Sequence, residues 1–416
     1  MRELRYDVAV IGGGAAGMAA AMELDTAGFS CAIIEREDHL GGILMQCIHN
    51  GFGLHEFAEE LTGPEFAERF IEQVIKSKIA VYQDATVTQL GESGENKEII
   101  CVSPQGVMRI QCRAVVLAMG CRERNRGNVR IPGARPAGVY TAGLAQRLVN
   151  IEGYIPGKEV VIIGSGDIGL IMARRMSWVG CSIKAVVEIM PYPAGLTRNI
   201  VQCLRDFNIP LYLSCQTTGI FGNDRVEGVE LTPIENGVSV PEKKFRIDCD
   251  TVLLSVGLVP ENELSRTAGV ELNNATGGPL VDSFLMTNLD GVFACGNVLH
   301  VHDLVDCVSQ ESRRAGLYAA DWLKGKRPGP QIRVKAGSNV RYVNPARIDP
   351  QRENQIYLRS LVVKTNTVLE VKLNGVPIRS IKLSHVQPSE MINVTIGPKD
   401  FPGQTGTDAV LEFSET

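Results

Sequence analysis

Hydrophobic positions along this chain change rhythm several times, and each change predicts an element. The first run, from Asp7 to Ile11, is short and apolar and reads as a buried strand. It meets Gly12-x-Gly14-x-x-Gly17, and an alanine-rich helix follows until Gly28 stops it. A second apolar run, Cys31 to Ile34, ends at Glu35. Each glycine has a mechanical reason in a strand–turn–helix unit. Gly12 permits the tight turn, Gly14 lets a pyrophosphate approach the backbone, and Gly17 lets helix and strand pack closely. The helix then presents free N–H groups and a positive dipole end to the phosphates. Glu35, 23 residues beyond Gly12, can accept the hydroxyls of an adenosine ribose.

The same unit returns at residues 158–188. A strand from Val160 to Ile163 meets Gly164-x-Gly166-x-x-Gly169, the helix ends at Gly180, and "SIKAVV" leads to Glu188. The registers agree: Gly28 is 16 residues after Gly12, and Gly180 is 16 after Gly164. A repeat of this kind implies two bound dinucleotides. Glu188 favours a free 2′-hydroxyl and repels a 2′-phosphate, and no arginine stands beside it in "EIMPYP". The second site is therefore expected to take NAD(H) in preference to NADP(H).

Elsewhere the pattern is helical over residues 54–78, broken at "TGPE", where Thr62 caps and Pro64 starts a new helix. Residues 82–112 read as short antiparallel strands. After the basic, Pro/Gly-rich linker "LKGKRPGP" (323–330) the period becomes two. "QIYLRSLVV", "TVLEVKLNGVPIRSIKL", "EMINVTI" and "AVLEF" alternate, with Asn374-Gly375 as a type I′ hairpin turn. A small β-sandwich is expected there, either a stabilising appendage or a docking module for a partner protein.

Composition narrows the function classes. The 416 residues include 44% hydrophobic and 21% charged, and the formal net charge is −5. No basic field exists to attract nucleic acid or an anionic membrane. The apolar N-terminal run contains Gly12, Gly13, Gly14 and Gly17, which break a signal-peptide core, and no segment approaches a membrane span. A cytoplasmic protein is expected. Eleven scattered cysteines, the closest pair nine apart, give no C-x-x-C and no zinc-type pairing.

Together these motifs resemble the FAD- and NAD-binding pyridine nucleotide-disulfide oxidoreductase superfamily. Three further stretches carry the resemblance: "AVVLAMGCRER" (114–124), "DTVLLSVGLVPENEL" (250–264) and "TNLDGVFACGNVLH" (287–300). The implied fold is α/β, with two Rossmann-like three-layer domains, the NAD domain inserted into the FAD domain. The expected layout is 1–150 and 266–328 for FAD, 151–265 for NAD, and 329–416 for the β domain. The implied FAD residues are Gly12, Gly14, Ala15, Ala16, Gly17, Glu35, Arg36, Gly41, Gly42, Val87, Ala118, Gly120, Gly296 and Asn297. For NAD they are Gly164, Gly166, Asp167, Ile168, Gly169, Glu188 and Gly257. Asn297 departs from the family, which usually has Asp there to accept a hydrogen bond from the ribityl chain. An amide oxygen can still accept.

The larger departure concerns the dithiol. Disulfide reductases of the superfamily carry two closely spaced cysteines, yet "GGILMQCIHNGFG" (41–53) has only Cys47, beside His49. "GGILMQCIHNGFGLHEFAEELTGPEFAERF", "IPGARPAGVYTAG", "VVEIMPYPAGLTRN" and "CGNVLHVHDLVD" look like a disulfide-lacking subgroup of flavoprotein subunits. That subgroup serves multi-component dehydrogenases of the anaerobic glycerol-3-phosphate, hydrogen cyanide synthase and opine or proline type. The implied role is electron relay between NAD(H) and a partner, a second flavoprotein dehydrogenase subunit or a small cysteine-rich iron–sulfur protein, in a hetero- or homo-oligomer. The alternative is a self-contained NADH oxidase, peroxidase or thiol reductase using Cys47, with His49 as a proton donor or a substrate-facing group. A third is a non-catalytic flavoprotein scaffold. His300-x-His302-Asp303 invites a metal reading, but two histidines at i, i+2 share no helix face, so no metal is expected.

Overall fold

The computed structural model describes residues 1–401 and the backbone of the strand Val410–Glu415. Ala409, the first residue of the expected "AVLEF" strand, lies outside the described residues. The chain divides into two compact units, Met1–Cys121 with Pro260–Thr416, and Arg122–Val259.

In the first unit, β1 (Arg2–Ile11) lies between β2 (Cys31–Ile34) and the long strand Gly106–Leu117, parallel to both. Ala80–Tyr82 extends the sheet beyond β2, and Val292–Ala294 pairs in parallel with the end of Gly106–Leu117. Val8, Ala9 and Val10 are fully buried, which explains why β1 is apolar without alternation. Helix α1 (Ala15–Thr26) buries Met18, Ala19, Ala20, Ala21 and Leu24. It is apolar nearly all round because the sheet covers one side and the return helix, Val305–Leu323, the other. The two helices cross closely. A Cβ on Gly316 would run into the carbonyl of Ala20.

Thr86–Ser93, Asn96–Ser103 and the first half of Gly106–Leu117 form an antiparallel ladder. It is continuous with the main sheet, because one long strand serves both. Helix α2 (Gly63–Lys76) starts at a Thr62–Glu65 capping box with Pro64 in its first turn, as the sequence predicts. The expected helix before it does not form. Residues 54–57 form a single turn, closed by the Phe57 amide on Gly53 O at 2.8 Å, and Ala58, with φ of 54°, ends it, while the amides of Gly53, His55 and Glu56 donate to the Asp306 carboxylate.

The second unit holds a five-stranded parallel sheet, in the order Val139–Thr141, Thr251–Leu254, Glu159–Ile163, Ser182–Val187, Leu211–Tyr212. Its first strand, and the helix Ala142–Asn150 behind it, were expected with the first nucleotide domain. The two compact units divide the chain at 121/122 and 259/260. A three-residue strand leaves too little periodicity to read, and only its pairing with Thr251–Leu254 shows where it belongs. An antiparallel layer of Cys215–Phe221, Gly228–Glu235 and Phe245–Ile247 completes this unit.

The C-terminal segment is a sandwich of a five-stranded and a three-stranded sheet around its own core, which includes Ile356, Leu358, Leu369, Val371 and Ile396. Asn374 and Gly375 both have positive φ, 52° and 82°, as the hairpin turn requires. The sandwich belongs to the first compact unit. Arg359 holds the Val301 carbonyl and Asp303, Arg314 donates to the Tyr357 hydroxyl, and Arg352 lies over Phe284 and Tyr318. No helix among the described residues is long and apolar enough to cross a membrane.

Candidate functional site

The first glycine turn is packed as a nucleotide cradle requires. A Cβ on Gly17 would sit inside the Gly12 carbonyl, and one on Gly12 would meet that of Ala118. Gly12 also has φ of 109°, a conformation that L side chains rarely adopt. Gly41 donates to Gly13 O at 2.9 Å, and a Cβ on Gly42 would lie 3.2 Å from Gly14 Cα. Gly14, Gly41 and Gly42 therefore present bare backbone beside the first turn of α1, whose amides at Ala15 and Ala16 an α-helix leaves without internal partners. Glu35 is buried. Its Oε2 accepts the Gly13 amide at 2.6 Å and its Oε1 the Glu37 amide at 2.9 Å. Its backbone carbonyl accepts the Ala85 amide, which brings the segment of half-buried Val87 alongside. Arg36 is exposed, near Glu37. Ala118 donates to Ile11 O, and Gly120 has φ of 71° with open space where a side chain would be.

The second cradle repeats this construction. Glu188 is buried and accepts the Ser165 amide at 3.0 Å, the Ser165 hydroxyl at 2.6 Å and the Met190 amide at 3.0 Å. Ser255 Oγ accepts the Gly169 amide at 3.0 Å, and a Cβ on Gly169 would press on the Ser255 side chain. Asp167 begins the helix Asp167–Trp178, ahead of Ile168, but its carboxylate is engaged. Oδ1 accepts from the Leu196 amide at 2.8 Å and Asn199 Nδ2 at 2.6 Å. Gly257, φ 97°, accepts the Arg124 amide through its carbonyl. Ser165 and Ser255 went unread in the sequence. Their position beside the glycines is the signal that points to them.

The loop "GGILMQCIHNGFG" forms a 3₁₀ turn, Gly42–Gln46, and a short strand, Asn50–Phe52. The Cys47 thiol donates to Ile43 O at 3.3 Å, and burial pushes it up to about 12. It stays protonated near neutrality, which is the opposite of an activated thiol. His49 rests on Phe52, ring centroids 5.0 Å apart, with Nδ1 3.0 Å from Asn50 O. The far end of the loop is fixed by Asp306, from the return helix. Oδ1 accepts the His55 and Glu56 amides at 2.9 Å, and Oδ2 the Gly53 amide at 3.3 Å. Arg313, one turn pair further along, clamps Glu56 and Glu23. Sequence reasoning missed both residues, and nothing local marks them.

The late turn brings together more than was expected. Asn297 Oδ1 accepts the His302 amide at 3.0 Å, so the amide side chain braces its own loop. The return helix begins only at Val305, which leaves His300 and His302 in an irregular segment where helix spacing does not apply. Both rings converge on Glu311. His300 Nε2 lies 2.8 Å from Oε2, and His302 Nε2 lies 3.2 Å from Oε1, with all three side chains fully buried. Oε1 also accepts the Gly296 amide at 2.7 Å. Burial alone would raise Glu311, but the two imidazoles outweigh it and hold the carboxyl well below its ordinary range. Burial lowers His300 against the pull of Glu311.

Residues 6–316, three quarters of the chain, match the pyridine nucleotide-disulphide oxidoreductase family. The chain belongs to this family. Its members are FAD-dependent NAD(P)H oxidoreductases, and the two cradles fit those cofactors: each has a side-chain-free phosphate turn and a buried acid at the end of the next strand. An opine oxidase subunit of Rhizobium meliloti is 26% identical over 319 residues, covering 70% of this chain and 58% of that protein. Thioredoxin reductase of Mycolicibacterium smegmatis is 26% identical, covering 76% of this chain and 96% of that one. The chain thus spans less than two thirds of the opine oxidase polypeptide. The crystal structure of T. acidophilum thioredoxin reductase superposes with a TM-score of 0.64 at 24% identity, over 76% of this chain and 98% of that one, which shows a shared fold. None of these matches extends over the whole chain.

Proposed function

We propose that this family member is an electron-relay flavoprotein, oxidising NADH and passing the electrons to a partner within a multi-component dehydrogenase. One observation carries the reading. Both nucleotide cradles are complete, while the thiol in the loop where a disulfide reductase keeps its pair is single and held protonated by burial. No pair of closely spaced cysteines stands beside Cys47 in this loop. Likeness to a protein named as one subunit of an opine oxidase supports a multi-component setting.

A bound flavin takes a hydride from reduced nicotinamide as a two-electron unit and gives electrons up singly or in pairs. This chain's residues supply position. Glu35 and Glu188 would hold the adenosine ends, the helix N-termini would take the pyrophosphates, and Gly41-Gly42 would admit close backbone approach. Glu188, a buried carboxylate, would oppose a 2′-phosphate on a ribose placed beside it and so favour NAD(H).

Purified protein should be yellow, be bleached anaerobically by NADH, and reduce artificial acceptors at an unchanged rate in Cys47→Ser. Loss of acceptor turnover in Cys47→Ser, with flavin reduction intact, would move the assignment to a thiol-dependent oxidase or reductase. A protein that takes up no FAD defeats both.

A further inference from the structure

We infer that His300, His302 and Glu311 form a metal site that takes a single divalent transition cation, zinc or ferrous iron. Two imidazoles and one carboxylate are a donor set suited to these ions and poorly suited to magnesium or calcium, which prefer oxygen. The spacing fits as well. Metal–ligand bonds of about 2.0–2.1 Å place neighbouring donors about 3.0–3.4 Å apart. Here the two nitrogen–oxygen separations are 3.2 Å, inside that range, and 2.8 Å, a hydrogen-bond distance that an ion would open by a few tenths of an ångström, and the three donor atoms lie within 4.8 Å of one another.

Two further observations point to a ligand. His302 Nε2 is fully buried and faces Glu311 Oε1 without making a hydrogen bond to it. A buried nitrogen in this state is costly to leave without a partner, and coordination would satisfy it. The second observation is seclusion: among the described residues the neighbouring charged groups are already engaged, Arg359 with Asp303, Arg314 with the Tyr357 hydroxyl and Asp306 with three amides, so the Glu311 carboxylate faces the two imidazoles, 4.3 Å apart, and the Gly296 amide.

The carboxylate already has the outer partner that ligating carboxylates need, the Gly296 amide. Tyr357 and Tyr342 of the sandwich wall the site, with ring centroids 5.1 and 6.1 Å from that of His300. This enclosure, with all three ligating side chains fully buried, shields the site from bulk water. The ion would tie the late glycine turn, through Glu311, to the loop that Arg359 grips from the sandwich. The inference is independent of the electron partner.

The test is metal analysis of the purified full-length holoprotein by inductively coupled plasma mass spectrometry, before and after incubation with zinc or ferrous iron and desalting. The expected result is about one equivalent per chain. X-ray absorption should show only nitrogen and oxygen scatterers at about 2.0–2.1 Å, without sulfur at about 2.3 Å. His302→Gln and Glu311→Gln should lose the metal, and Cys47→Ser should keep it. Because the first two variants could fail to fold, the wild-type spectrum decides by itself. Less than about a tenth of an equivalent after loading, sulfur bound to the metal, or full retention in a folded His302→Gln variant would overturn the site. Those results would leave a proton-held imidazole–carboxylate network.

Discussion

Asp306 allows a prediction worked from distances alone. Its carboxylate is 2% exposed and accepts three amides from a loop about 250 residues away in sequence. In Asp306→Ala all three donors lose their acceptor. The Gly53 amide is buried, and an orphaned buried amide costs about 1–3 kcal/mol. The His55 and Glu56 amides are partly buried, so water can replace some of the loss, at about 1 kcal/mol each. Releasing a buried carboxylate offsets part of the sum, leaving roughly 3 kcal/mol of local stability. At about 1.4 kcal/mol per tenfold this is roughly a hundredfold. Hydrogen exchange read on peptides covering residues 50–58 should therefore accelerate by about two orders of magnitude. Asp306→Asn keeps one accepting oxygen and should accelerate less than half as much on a logarithmic scale. Exchange within about threefold of wild type in a folded Asp306→Ala protein would refute the claim that this carboxylate holds the loop.

Three further outcomes are expected. Gly17→Ala should abolish FAD retention and cost more than ~3 kcal/mol, because its Cβ overlaps the Gly12 carbonyl. Gly28→Ala, with φ of 85° but open space, should cost only ~1 kcal/mol and keep FAD; flavin absorbance after desalting and thermal melts separate the two. Glu188→Gln should narrow the preference for NADH over NADPH by about tenfold, ~1.4 kcal/mol, in steady-state kcat/KM. Finally, the raised Cys47 thiol is protonated across the neutral range, and its thiolate fraction grows about tenfold per pH unit until the pH nears 12. Iodoacetamide labelling followed by mass spectrometry should show that slope with no plateau from pH 7 to pH 9, and a plateau there would contradict the burial.

Much of this molecule was written locally. Each nucleotide unit occupies about thirty consecutive residues, and strand, glycine turn, helix and acid are all neighbours in the chain. Backbone sterics and the free amides of a helix start decide their arrangement, so the tight turns at Gly12 and Gly164, and the strands ending at Glu35 and Glu188, could be read without coordinates. The β-sandwich was legible for the same reason, through period-two alternation and the Asn374-Gly375 turn. What the tertiary structure decided are the properties that come from distant packing. Cys47 is one thiol in a glycine-rich loop until its burial and its bond to Ile43 O show that it stays protonated. Residues 54–57 make one turn and no helix because Ala58 leaves the helical conformation with φ of 54°, and a carboxylate some 250 residues away, Asp306, fixes the amides of His55 and Glu56. His300 and His302 share no helix face, yet they meet Glu311 because the return helix starts later than its pattern implied and the sandwich closes over them. Desolvation and long-range charge pairing depend on which elements come together, and no window of sequence contains that information.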